Sequence, residues 1–182
     1  MIPAFNISNV LPPFCGDDPT SSSNVSPYEV SMSDLVNRFG TTPQRIEILK
    51  GLIKYRARLA ELNITSGFQL IDGSFVENCE ALRGRAPSDV DIVTFAYRPE
   101  GQLQNIVQNN LDIFDPNQSK ITFKCDAYFV DLNKAPDLIA TDSFYWFGLF
   151  SHQRATSLWK GMLKIPLISD DDQVRLPDVT EA

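Results

Sequence analysis

Apolar positions recur with two different periods along this chain, and the switches between them mark its elements. From Pro43 to about Leu62, Ile46, Leu49, Ile53, Ala57 and Ala60 fall at helical spacing, and Leu52, Leu59 and Leu62 widen the stripe. Thr41-Thr42-Pro43 supplies a cap, then a proline tolerated in the first turn because its missing N–H would go unpaired there anyway. Lys50, Lys54 and Arg58, four apart, read as a solvated flank. The period then shortens. GFQLID (67–72) predicts a strand, Gly73-Ser74 a turn, FVENCEAL a short helix, RGRAPS a loop, and DVDIVTFAY (89–97) a β-branched central strand. A helix is expected over Leu103–Leu111, a third strand over ITFKCDAYFVDL (121–132), helix or loop over 135–159, and a last strand over Met162–Leu167. The aromatic run Phe144, Tyr145, Trp146, Phe147 and Phe150 is expected in the core.

This alternation predicts an α/β (α+β) domain built round a mixed sheet. Residues 1–32 are rich in Pro, Ser and Asn without periodicity and are expected to form an extended arm. Ile2, Phe5, Val10, Leu11 and Phe14 imply that the arm lies along the body or along a protein partner. The domain proper is expected over 33–169. An acidic tail follows over 170–182, with Asp170, Asp171 and Asp172 as a solvated run.

A length of 182 residues suits one domain with decoration. The net charge of −7 and pI near 4.6 argue against non-specific nucleic-acid binding, which needs Lys and Arg against phosphates. Cys15, Cys79 and Cys125 form no metal or disulfide pattern and read as reduced thiols. The opening MIPAFNISNVLPPF lacks a basic region and holds three prolines, unlike a secretion signal. No stretch approaches the roughly 20 apolar residues of a membrane span, so a cytoplasmic chain is expected.

Asp89 and Asp91 alter this ordinary picture. Two residues apart on a strand, their carboxylates leave the same face and repel unless a cation sits between them. Mg²⁺ or Mn²⁺, with oxygen ligands and substrate phosphates, suits such a pair. A third carboxylate from the next strand would complete a two-metal arrangement. Asp126 is the candidate and Asp131 the runner-up; five residues apart, they face opposite sides of a regular strand. Gly73 would let backbone approach a ligand closely, and Ser74 would open a helix whose free N–H groups suit phosphate. Arg83 and Arg85, in the loop between, would contact a triphosphate or fill the carboxylate site when metal is absent; otherwise they are loop charges. The plain alternative for the pair is a strand-edge turn in which Asp89 caps and Asp91 is solvated. His152, the single histidine, could stack on a base or assist proton transfer but reads first as a surface or satisfied loop residue, and Arg154 and Lys160 could meet phosphate but read first as ordinary charges.

Gly-Ser at a strand-to-helix turn, Asp-x-Asp on the next strand and one further Asp on a third resemble the DNA polymerase β type of nucleotidyltransferase superfamily. The stretches VLPPF, RFGTTPQR, LIDGSFVE and KGMLKIPL look like those of an uncharacterised bacterial family of small nucleotidyltransferase-like proteins. The superfamily resemblance implies a minimal nucleotidyltransferase sheet flanked by helices. It implies metal at Asp89, Asp91 and Asp126, NTP phosphates at Gly73 and Ser74, and transfer of NMP to a protein, tRNA or small-molecule acceptor. It equally allows a weakly active or inactive binding subunit, such as a toxin–antitoxin or phage-defence partner module. The gap from Ser74 to Asp89 is longer than the superfamily's common spacing.

Overall fold

The computed structural model describes residues 1–18, 20, 24–99 and 103–177; of the acidic tail, 178–182 lie outside the described residues. In chain order the elements are β1 (Tyr28–Glu29), α1 (Met32–Phe39), α2 (Pro43–Glu61), β2 (Gly67–Asp72), a 3-10 turn (Ser74–Val76), α3 (Cys79–Arg83), β3 (Val90–Ala96), α4 (Leu103–Asn109), α5 (Leu111–Phe114), α6 (Pro116–Phe123), β4 (Cys125–Asp131), α7 (Pro136–Phe150) and β5 (Leu163–Pro166). The strands form one five-stranded mixed sheet in the order β1-β5-β2-β3-β4, flanked by helices, as an α/β (α+β) class requires.

β2 and β3 run antiparallel, with Asp72 opposite Asp91. β3 and β4 run parallel, with Asp91 opposite Asp126. A parallel neighbour needs a long crossover, and residues 97–124 supply it, containing α4, α5 and α6. One sheet face packs Ile71, Ile92 and Ala127 against Leu49, Leu52, Tyr55 and Leu59 of α2 and the apolar side of α1. The other carries a smaller cluster of Leu70, Val93, Phe95, Val130, Phe150 and Met162.

α2 starts as its sequence dictates: Thr42 accepts from Arg45 N at 3.3 Å and Pro43 occupies the first turn. Gly51 in the middle of α2 lets α6 press against it, since a Cβ there would lie 1.8 Å from the carbonyl oxygen of Phe123. β2 occupies its predicted span, and β3 and β5 sit within theirs.

Several expectations need correction. α1 lies where no helix was expected, closed by a capping box: Ser31 Oγ accepts from Asp34 N (3.1 Å) and Asp34 Oδ2 from Ser31 N (3.2 Å). The third strand begins at Cys125, because Ile121–Phe123 complete α6, which opens at Asp115-Pro116 and stops at Lys124 with φ +56°. The arm takes the first of its two expected places: Val10 and Leu11 are buried in the chain's own body and Tyr28–Glu29 joins the sheet, while Ile7 stays exposed. Asp170 and Asp171 are not simply solvated. Asp170 accepts from Met32 N (2.9 Å) and Ser33 N (3.3 Å), a carboxylate on the N-terminus of α1, which favours negative charge. Asp171 pairs with the buried Arg56. Within the aromatic run only Phe150 is buried; Phe144, Tyr145 and Phe147 are exposed.

Candidate active site

Strand register alone gathers the acidic residues. Asp72 ends β2, Asp91 is the second residue of β3 and Asp126 the second of β4, and their cross-strand pairings set the three side by side. Residues directly opposite share a face, here that of Leu70, Val93 and Val130. Asp89, just before β3, joins the same side. Its Oδ2 lies 2.6 Å from Lys120 Nζ, which is also 3.5 Å from Asp126 Oδ2. Lys120 comes from α6, the helix that leads into β4, and it is a cation already seated between two of the predicted carboxylates.

Gly73 takes a conformation open to few other residues, φ +81°. Its bare Cα also makes room for Asp91: an added Cβ would meet Asp91 Oδ2 at 1.7 Å. The two residues singled out from the sequence are thus locked together sterically. Ser74 follows, but the expected helix is only a 3-10 turn of three residues, with α3 starting at Cys79, so no helical array of N–H groups opens at Ser74.

The segment after Gly73 is gripped by two buried cations. Arg45 from α2 donates to Phe75 O (2.6 Å), Glu77 O (2.8 Å) and Glu80 (2.7 Å). Lys160, 2% exposed, stands 3.0 Å from Asp72 Oδ1 and 3.1 Å from Glu77 Oε1, and donates to Gly73 O at 3.3 Å. The Asp72 contact is an ion pair without hydrogen-bond alignment, leaving Asp72 Oδ1 buried with no donor. The other oxygen of Glu77 takes Arg83 (2.8 Å) and Gln153 (3.1 Å).

Arg83 therefore turns to Glu77 and not to the aspartates, and Arg85 is exposed and reaches only Ala86 O at 3.3 Å. The place foreseen for an arginine in the carboxylate site is taken by Lys120. Asp131 pairs with Arg98, and Asp126 is the residue facing Asp91. His152 bonds locally, its Nδ1 3.0 Å from Ser151 Oγ. Sequence reading overlooked Asp72, Glu77 and Lys120 and took Lys160 for a surface charge. One signal was available: an acid closing an apolar strand immediately before Gly-Ser, as in LIDGS.

The clustered charge shifts the acids. Burial, then the charges of Asp89 and Asp126, push Asp91 up to about 6. Burial pushes Asp72 up to about 7, against the pull of Lys160. Burial disfavours the ammonium of Lys160, but Asp72 and Glu77 outweigh it and hold its pKa above the ordinary value. The hydrogen bond to Asp89 raises Lys120 likewise.

Among the described residues no three His, Cys, Asp or Glu side chains close into a metal cage. Mg²⁺ does not ask for one; it is commonly held by one or two carboxylates plus substrate phosphates and waters. Asp89, Asp91 and Asp126 are oxygen donors of the type that ion takes, and the charges of Asp89 and Asp126 add to burial in raising the pKa of Asp91.

Among the described residues no helix is long and apolar enough to cross a membrane. No curated protein matches the sequence. Residues 3–166 match one family model, and the chain thus belongs to DUF6932, a family of unknown function.

Proposed function

We propose that the protein is a metal-dependent nucleotidyltransferase. The observation that carries this reading is the register that sets Asp91 opposite Asp126 while the bare Cα of Gly73 closes on Asp91 Oδ2. Asp89, Asp91 and Asp126 would hold Mg²⁺ or Mn²⁺, which when bound screens the carboxylates and attracts an NTP. Lys160 donates to the carbonyl of Gly73, and backbone at Gly73 and the Ser74 hydroxyl would meet phosphate oxygens. Asp126 is the carboxylate that orients the acceptor hydroxyl and takes its proton. The acceptor oxygen forms a bond to the α-phosphorus, the bond from that phosphorus to the bridging oxygen breaks, and pyrophosphate leaves. The acidic chain favours a protein or small-molecule acceptor over a long nucleic acid such as tRNA.

A second reading, a nucleotidyltransferase-like binding subunit of a toxin–antitoxin or phage-defence kind, is favoured by one observation. Lys120 already pairs with Asp89 and reaches Asp126. Incubation with labelled ATP, CTP, GTP and UTP, Mg²⁺ or Mn²⁺ and candidate acceptors separates the two. Transfer that disappears in Asp89→Ala/Asp91→Ala supports the enzyme. Absence of NTP binding and turnover, with the double variant indistinguishable from wild type, rejects it.

A further inference from the structure

α7 is seated on the sheet through Trp146, whose ring lies 4.7 Å from that of Tyr128, and through the buried Phe150. Much of its remaining surface is apolar yet uncovered: Phe144 is 78% exposed and Tyr145 62%, with Leu138, Phe147 and Leu149 near half. At the size of aromatic and leucine side chains, these five leave roughly 500 Å² of apolar surface open, well above a scatter of single residues. Three of the polar side chains on α7 are satisfied locally, while Asp137 is exposed. Thr141 Oγ1 donates to Asp137 O (2.9 Å), Ser143 Oγ to Ile139 O (2.8 Å), and Asp142 pairs with Lys134 (2.7 Å).

Gly148 is the independent clue. Glycine inside a helix is destabilising relative to alanine. Nothing in the chain calls for it here: its φ is not left-handed, and a Cβ would meet no atom within 4 Å. Gly51 and Gly73, by contrast, are each pressed by their own chain. At 100° per residue, Gly148 and Thr141 share the outward line of α7, with Phe144 on one side of it and Tyr145 on the other. The same helix therefore bears a protruding ring and, four residues on, a bare backbone to receive one.

We propose that α7 is the interface of a two-fold homodimer, in which Phe144 of each copy packs on Gly148 of the other in an antiparallel helix pair. An isologous contact needs both halves of the fit on one surface, and this surface has both. The pairing brings the Asp137 end of each helix toward the exposed Arg154 of its mate, so two chains of net charge −7 meet without like charges at the centre. Phe144 and Tyr145 lie nearest the line of contact, and the five open side chains of each copy set an upper bound of roughly 1,000 Å² over the two copies, the low end for a specific interface. No aspartate of the candidate site takes part, so the proposal stands independently of nucleotidyl transfer.

Sedimentation velocity of the full chain from about 1 to 100 µM, the affinity range of interfaces this small, tests it. The expected result is a concentration-dependent dimer. Gly148→Leu has open space in the protomer, and Phe144→Ser removes a ring that is mostly exposed. Each should weaken dimerisation at least about tenfold, roughly one well-packed contact, while circular dichroism stays that of the wild type and, at concentrations where both are monomeric, Tm does not fall. Wild type that is monomeric throughout, including one that floats with lipid vesicles, overturns the proposal. So does a dimer that both variants leave unchanged.

Discussion

Asp91 Oδ2 occupies the space in which a side chain on residue 73 would begin, 1.7 Å from the Cβ position of Gly73. A strand carboxylate thus fills the place that any side chain at residue 73 would need. Gly73→Ala would have to displace Asp91 and also adopt a left-handed φ. We expect a loss of about 1–3 kcal/mol of stability, the usual cost of such strain. Mg²⁺ binding should weaken at least about tenfold if Asp91 is a ligand. Chemical denaturation and calorimetric Mg²⁺ titration of the same variant read the two effects separately.

Asp91 should make the protein less stable as pH rises. Its folded-state pKa, raised from 3.8 to about 6 by burial first and by Asp89 and Asp126 next, means that the native state holds this proton more tightly than the unfolded chain does. Its contribution is complete below the unfolded pKa and is lost as pH climbs through about 6. Asp91→Asn should therefore raise stability at pH 7.5 by about 1–2 kcal/mol and flatten the profile between pH 4 and 6. Thermal melts across that range in chelator check it, and the wild-type slope should shrink when Mg²⁺ is added.

Lys120 competes for the carboxylates that the proposed metal needs. Lys120→Met leaves Asp89 and Asp126 without a counter-charge. Mg²⁺ should then bind several-fold more tightly, on the order of 1 kcal/mol for one surface-accessible charge pair. If Mg²⁺ shifts the melting temperature of neither protein, the metal reading is wrong.

Asp171→Ala leaves the buried Arg56 without its carboxylate, though still bonded to Gln69 Oε1 (2.7 Å) and Pro166 O (2.9 Å). Asp171 is itself partly exposed, so the expected loss is about 2–3 kcal/mol, below that of a fully enclosed pair. Denaturant midpoints measure it. Equal stability of variant and wild type would mean that the docked tail segment is not holding α2 and β5 together.

Legibility in the sequence followed the range of the interactions. GFQLID is bounded by glycines with positive φ at both ends, Gly67 and Gly73, and its strand was found residue for residue. α2 carries its own stripe and cap, and period alone puts Asp89 and Asp91 on one face, whereas it does not choose between Asp126 and Asp131; the register of β4 on β3 sets Asp126 opposite Asp91. The misses have distinct causes. Ser31-x-x-Asp34 was a readable capping box lost among prolines and serines. The β-branched Ile121-Thr122 suggested strand, but the Asp115-Pro116 start and the packing of Phe123 on Tyr55 made helix. Lys160 looked like a surface charge because its partners Gly73 and Asp72 lie some ninety residues earlier, and no local pattern announces such pairing. α7 reads as core because a run of rings in the sequence does not tell which of them its own chain will cover.

Gly51 ties the far side of the protein to the chemistry proposed here. Where α2 touches the last residue of α6, the chain is about to turn into β4, with Lys120 three residues before the touch and Asp126 three residues after. That contact works as a fulcrum. A bulkier residue at position 51 would tilt the lysine and the aspartate together, resetting the balance of charge at the sheet's acidic row from a point buried beneath its opposite face.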